Sequence, residues 1–463
     1  MTPFRLQPDP RLASALKDAC ATMLAVLATL GCVLALAPSA GLAVLATVMC
    51  VSFARTGLER DWRGRIEAAF ALPAIALAAS GAGLLLARQP WLGAAVFVAA
   101  MALAIWLRRF GSLARRLGSL IALPFVALLV TPPDALVQRG PIPAPLMPVL
   151  AGLLALFWVG VVHLGGQAAG LLTMADAPAP EPAPAESSLR PVASTRMALQ
   201  MAAGLALSFA IGFLWFGTRW SWIVLTAYIV ASGNRGRLDV AYKSALRVAG
   251  AAVGTLAALV LSRYAVGHGP AAVALILGAL FVALWLRPIS YAWWALGITI
   301  AFALLQGFGA ASVADALWAR LEEIVIGALI AVAAAWFVLP VRSSAALRRR
   351  LADALAALAD ALDPDASARS PGRFTAALAA VEQMAPSFRA ARAVTGRWRA
   401  PQPADWIDVL LACRQPALAL IEDGAATPGL RRTLGAARKA LREPDAIAPA
   451  LTALRDALHA GRA

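Results

Sequence analysis

The feature of this chain that most constrains its fold is a tandem repeat. The constant shift that carries Thr47 onto Thr226 also places Gly57 on Gly236, Trp106 on Trp285, Arg108 on Arg287 and Gly118 on Gly297. Each shared position falls at or near the end of an apolar run, where a duplicated helix bundle keeps its turns and interfacial anchors. The pattern predicts an all-α membrane protein built from two tandem six-helix transmembrane repeats.

The apolar runs fall near 20–37, 40–54, 68–87, 91–107, 113–131 and 145–165, and again near 196–214, 216–232, 245–264, 270–287, 289–307 and 320–341. About 20 apolar residues cross the roughly 30 Å of bilayer hydrocarbon, so these runs predict twelve spans, of which 40–54 and 216–232 are short. Composition agrees: 61% of the 463 residues are hydrophobic and 14% are charged, against the roughly 25% charge of soluble domains. The first run follows a long polar lead and has an internal counterpart at 196–214, so it reads as a retained span rather than a cleaved leader.

The net charge of +16 is distributed as a topology signal rather than as a nucleic-acid footprint. Arg55, Arg60, Arg63 and Arg65 follow the second run, Arg108, Arg109, Arg115 and Arg116 the fourth, and Arg235, Arg237, Lys243 and Arg247 the eighth. The opposite loops carry mainly the single arginines Arg88, Arg139, Arg219 and Arg263. Positive charge stays cytoplasmic, so both termini are expected in the cytoplasm and the two repeats are expected to run parallel.

Four regions follow: a first repeat over 1–173, a Pro/Ala linker over 174–192, a second repeat over 193–341 and a helical cytoplasmic domain over 342–463. The linker, MADAPAPEPAPAESSLRPV, has no apolar period. The tail carries 18 basic and 12 acidic residues. Leu347, Leu351, Leu355, Leu358 and Leu362 recur at helical spacing, and Ser343 or Ser344 is positioned to cap that helix. Pro364, Pro371, Pro386, Pro401, Pro403, Pro428 and Pro444 divide the rest into four or five short helices. Arg348, Arg349 and Arg350 follow the last span, where contact with anionic headgroups and a stop-transfer role both fit.

Enzyme signatures are missing. The sequence has no GxxxxGK[ST] phosphate loop, no HExxH and no GxSxG elbow. His163, His268 and His459 are far apart, and Cys20, Cys32, Cys50 and Cys413 form no paired set. No catalytic residue, metal or cofactor is expected, and no nucleic-acid partner.

The most distinctive stretch is SWIVLTAYIVASGNRGRLDVAYKSALRVAGAAVGTLAALVL, with Trp222, Thr226, Gly236, Arg247, Gly250 and Gly254. ARLEEIVIGALIAVAAAWFVLP follows, where Arg320, Glu322, Glu323 and Gly327 open the last span. These stretches resemble the fusaric acid resistance and aromatic acid exporter family of bacterial inner-membrane proteins, well over 196–341 and weakly over 20–165. The resemblance implies a multi-pass inner-membrane transporter that exports small, aromatic carboxylic acids on the proton gradient. It also implies a small organic anion as substrate, a periplasmic adaptor protein as partner and membrane lipid around the bundle, with homo-oligomerisation left open. An organic-anion channel and a membrane scaffold with a partner-binding tail are the alternatives.

Several residues fit a solute path. Arg108 and Arg287, matched by the repeat and each two residues after a Trp, are placed at the cytoplasmic approach, where a cation offsets the desolvation of a carboxylate. Lys243 and Arg247 fit either a basic mouth or interfacial anchoring. Trp222 and Trp294 fit either an interfacial belt or a stacking surface. Glu322, Glu323 and Asp239 form the acidic set for coupling, with an ion pair between one glutamate and Arg320 as the structural reading. The two adjacent glutamates point about 100° apart on a helix, so one of them faces inward. Gly250 and Gly254 make a small-xxx-small packing face.

Overall fold

The computed structural model describes residues 10–56, 62–130, 143–172, 193–262, 269–305, 313–363, 371–396, 402–423 and 428–460. The linker over 174–192 lies outside them, as do Gly57, Arg60, Arg139, Arg263 and His268. All regular structure among the described residues is helical. The chain forms two compact units, one of Met1–Asp176, Ser188–Ser232 and Lys243–Leu339, the other of Ala177–Ser187, Gly233–Tyr242 and Pro340–Ala463.

The first unit contains α1 (Pro10–Leu36), α2 (Ala40–Thr56), α3 (Trp62–Arg88), α4 (Pro90–Trp106), α5 (Ser112–Val130) and α6 (Met147–Ala168). It continues with α7 (Ala193–Ile211), α8 (Trp220–Ala231), α9 (Arg237–Leu261) from Lys243 onward, α10 (Pro270–Leu286), α11 (Tyr291–Leu305) and α12 (Val313–Phe337). The helices thus coincide with the twelve apolar runs. Among the described residues, seven helical segments are long and apolar enough to cross a membrane. The apolar α10 and α11, with 17 and 15 residues, fall below that length. At 1.5 Å per residue such helices cover about 22–26 Å.

Packing pairs recur along the unit. In the first six helices α1 packs on α2 and α6, α2 on α6, and α4 on α5; six helices later α7 packs on α8 and α12, α8 on α12, and α10 on α11. Between the two sets, α4 packs on α7 and α1 on α10. The close approaches recur too. A Cβ on Gly118 would strike the Ala104 carbonyl, and one on Gly297 would strike Ala283. Ala104 and Ala283 are themselves matched by the shift that carries Thr47 onto Thr226.

An aromatic seam fills the contact of α4 with α7. Phe97 meets Phe125 and Phe209 edge-on at 5.7 and 5.5 Å, and Phe209 continues to Trp220 at 5.2 Å. At the far end of α12, Leu339 adopts a left-handed φ of 44°. The side chain of Gln200 on α7 donates there to the carbonyls of Val338 and Leu339 at 2.9 and 3.2 Å. It thereby satisfies helix-end acceptors that lack intrahelical partners.

The second unit contains α13 (Ser343–Ala361), α14 (Pro371–Glu382), α15 (Ala385–Thr395), α16 (Pro403–Ala412), α17 (Arg414–Asp423), α18 (Pro428–Ala440) and α19 (Pro444–Ala460). After α13, six helices among the described residues stand where four or five were expected, with turns at Gln383 and Cys413 that each come three residues before a proline, Pro386 and Pro416. Leu347, Leu351, Leu355 and Leu358 are buried with Phe374, Leu378, Ile407, Leu410, Leu451 and Leu454. Their burial follows the predicted stripe. Ser343 does not cap α13, which begins at that residue; its hydroxyl accepts the Leu238 N–H at 3.0 Å instead. The turn 233–242 is built into this body: Arg235 donates to the Gln383 side-chain oxygen at 2.7 Å, and Leu238 packs on the core.

Candidate functional site

Helix α8 is the local irregularity from which the site is built. Its 12 residues cover about 18 Å, well short of the hydrocarbon thickness. The chain reaches it through a π-helical turn over Gly212–Phe216 and a 3-10 turn over Gly217–Arg219, with Gly217 at φ 54°. Aromatic and β-branched residues dominate its sequence, WSWIVLTAYIVA. Gly327 lets α12 approach it against Ile223 and Thr226.

On that contact α12 presents Arg320, whose guanidinium carbon stands 3.6 Å from the centre of the Trp222 ring and 5.3 Å from that of Phe302. Trp222 and Phe302 meet edge-on at 5.2 Å. One turn further along, Glu323 lies 3.4 Å from Arg219 Nη1. The adjacent Glu322 is exposed, so the two glutamates divide as helical geometry requires. Glu323 thus forms its ion pair with Arg219, a residue the sequence assigned only to a loop. The charges of Arg247 and Glu323 both act on Arg320.

Arg247 reaches the cluster from α9. It is the largest fully buried side chain among the described residues. It lies 247 − 237 = 10 residues into its helix, about 15 Å along the axis. Gly250 and Gly254, on the same helix, face α11: a Cβ on either would meet the backbone oxygen of Ala292 or Leu296 at 2.5 and 2.7 Å. They bring α9 against α11.

A second feature is a cavity of about 360 Å³ lined by Asp18, Thr22, His163 and Arg287 among small and apolar residues. Its walls come from α1, α2, α6 and the end of α10. His163 is buried and Arg287 half-buried. Trp285, two residues before Arg287, donates its indole N–H to the Leu12 carbonyl at 3.3 Å, which ties α10 to α1.

The remaining candidates lie elsewhere. Arg108 sits in a 3-10 turn after α4 and does not line the cavity; its neighbour Arg109 covers the Trp106 ring at 5.5 Å. Trp294 is buried in a packed cluster with Leu280 and Ala283. Asp239 occupies the first turn of α9 and accepts the Arg235 N–H at 3.1 Å, and Lys243 is half-buried one turn on. Among the described residues no group of acidic, histidine and cysteine side chains could hold a metal ion.

Residues 202–334 match the family model described as fusaric acid resistance protein-like. This segment belongs to that family. It contains α8 to α11 whole and most of α7 and α12, hence Trp222, Arg247, Arg287, Phe302, Arg320 and Glu323. With its many apolar helices, the chain is a multi-pass membrane protein of transporter type. Neither a curated protein nor a solved structure matches it.

Proposed function

We propose that the protein exports small carboxylic acids, aromatic ones foremost, across the bacterial inner membrane, with the proton gradient as the driving force and no enzymatic step. In this reading the first unit is a pair of parallel six-helix repeats, the termini and the second unit are cytoplasmic, and the solute crosses between the repeats. The recurrence of packing pairs and of the Gly118 and Gly297 approaches supports the repeat, and the arginine asymmetry supports the orientation.

The cavity carries the proposal. Its wall joins α1, α2 and α6 to the end of α10, and its polar lining is one carboxylate, one hydroxyl, one imidazole and one guanidinium. A volume of about 360 Å³ lies within the range of small-molecule sites, roughly 300–1,000 Å³. Arg287 supplies the positive charge that a carboxylate needs on leaving water, and Asp18, Thr22 and His163 complete the polar part of the wall.

Purified protein in liposomes loaded with benzoate tests the proposal. Efflux is expected to exceed that from empty liposomes and to rise with an imposed pH gradient, and Arg287→Gln is expected to slow it at least tenfold with reconstitution unchanged. Efflux that follows only the membrane potential would identify a channel. Efflux equal to that of protein-free liposomes would end the transport reading.

A further inference from the structure

Helix α18 of the second unit concentrates positive charge on one face. Its sequence, PGLRRTLGAARKA, carries four basic residues and no acidic one. Leu430, Leu434 and Ala437 are buried in the core, whereas Arg431, Arg432, Arg438 and Lys439 are exposed. At about 100° per residue the four cations fall within an arc of about 120°, as two pairs spaced two helical turns apart. Among the described residues none of the four makes a hydrogen bond or an ion pair.

Elsewhere in the same unit arginines meet their counter-charges internally. Arg389 and Arg392 of α15 pair with Asp408 and Asp405 at 2.7 and 2.6 Å, and Arg414 of α17 pairs with Glu382 at 2.9 Å. Nor does membrane sorting account for the cations of α18. Positive charge sets topology within about 15–20 residues of a span, and Arg431 stands 431 − 337 = 94 residues past the last residue of α12. Like charges crowded on one face repel one another, and an anionic surface laid against them removes that cost.

The tether of the second unit favours one such surface. The chain is a multi-pass membrane protein, and Ser343 opens α13 six residues after Phe337 closes α12, the last apolar helix of the first unit. That stretch reaches at most about 20 Å, and α18 packs on α13. A bilayer surface is therefore always present at high effective concentration, whereas a soluble acidic partner has to be recruited. We propose that the exposed face of α18, with Arg431, Arg432, Arg438 and Lys439, docks on the headgroups of anionic phospholipid in the membrane that holds the first unit. Basic residues are attracted to such headgroups within a Debye length, about 8 Å at physiological salt. Docking makes the placement of the second unit depend on the anionic lipid content of the membrane. The proposal needs no transport and is independent of the export reading.

Full-length protein in nanodiscs tests it. Gly435 lies on the same exposed helix face with open space around it, so Gly435→Cys can carry a fluorophore there. Cys20, the one exposed free cysteine among the described residues, is removed by Cys20→Ser, and that single variant supplies the background labelling. Nanodiscs of phosphatidylcholine with and without phosphatidylglycerol hold a lipid whose headgroup bears a nitroxide quencher. Quenching is expected to be at least about twofold stronger with phosphatidylglycerol. It should fall to the phosphatidylcholine level at 1 M salt, where the Debye length is about 3 Å, and in the fourfold variant Arg431→Gln, Arg432→Gln, Arg438→Gln, Lys439→Gln. Because the four side chains have no partner among the described residues, the fourfold variant is expected to melt as wild type does, which separates lost docking from lost folding. Equal quenching in the two lipid compositions, or a fourfold variant that keeps the lipid dependence, overturns the proposal. Fluorescence that ignores phosphatidylglycerol but responds to added polyglutamate overturns it in favour of an acidic protein partner.

Discussion

The guanidinium of Arg320 stands over the Trp222 ring, its central carbon 3.6 Å from the ring centre. A cation on an aromatic face contributes about 2 kcal/mol when both are desolvated. Trp222→Leu keeps much of the apolar volume and removes the π face, so the detergent-solubilised variant is expected to lose roughly that much stability in thermal unfolding. Trp222→Phe should lose less, since it keeps a π face. Identical unfolding of Trp222→Leu and wild type would show that the stack contributes nothing.

Paired glycine substitutions test the recurring helix contact. Gly118→Ala and Gly297→Ala each place a methyl group against the facing helix at Ala104 or Ala283, and overpacking of this kind costs about 1–3 kcal/mol. Both melting temperatures are expected to fall, whereas Gly31→Ala, at a position with open space around it, should leave melting unchanged. A neutral Gly297→Ala would contradict the close approach of α10 and α11.

Gln200 ties α7 to the end of α12 through two carbonyls. Gln200→Leu leaves those acceptors unsatisfied next to the left-handed Leu339, at a cost of about 1–3 kcal/mol. Hydrogen exchange is expected to quicken at the end of α12 before it changes in α9. Uniform exchange in both helices would refute the local role.

Cys413, between α16 and α17, is fully buried, and burial pushes its thiol from 9.0 up to about 12. The thiolate is the reactive form, so maleimide at pH 8 should leave Cys413 unlabelled until the second unit unfolds. A folded-state pKa above the unfolded one also sets the sign of linkage. Stability from this residue is complete below pH 9 and declines as the pH rises toward 12. Labelling at the rate of a free peptide cysteine would show that the site opens readily.

Positions of the helices were legible because apolar runs announce themselves by length, and identities such as Trp106 with Trp285 and Arg108 with Arg287 accompany the recurring packing pairs. The stripe from Leu347 to Leu358 likewise marked the core of the second unit. Helix count in that unit was less legible: the breaks at Gln383 and Cys413 each come three residues before a proline, Pro386 and Pro416, whose missing N–H interrupts the helical ladder, and Pro416 was not read as a breaker.

The site was legible only in part. Arg247 follows Arg235, Arg237 and Lys243, so it read as one more member of a basic cluster, and nothing local showed that its side chain would be buried. Arg320 and Trp222 are far apart in the chain, and nothing local links them. Glu323 was expected beside Arg320, three residues away, yet the ion pair it makes is with Arg219, brought near by the turns before α8. Trp294 looked like a stacking surface because it lies near the end of an apolar run, but its ring is packed among Leu280 and Ala283.

The brevity of α8 has an electrical consequence. If water reaches both ends of its 12 residues along the proposed transport path, the membrane voltage drops over a shorter distance there. A charge that crosses the whole potential gains about 2.3 kcal/mol per 100 mV. Concentrated over about 18 Å instead of 30 Å, the same drop would give a field nearly twice as strong beside Trp222. An ion on that path would meet a steep, narrow slope rather than a gentle, wide one.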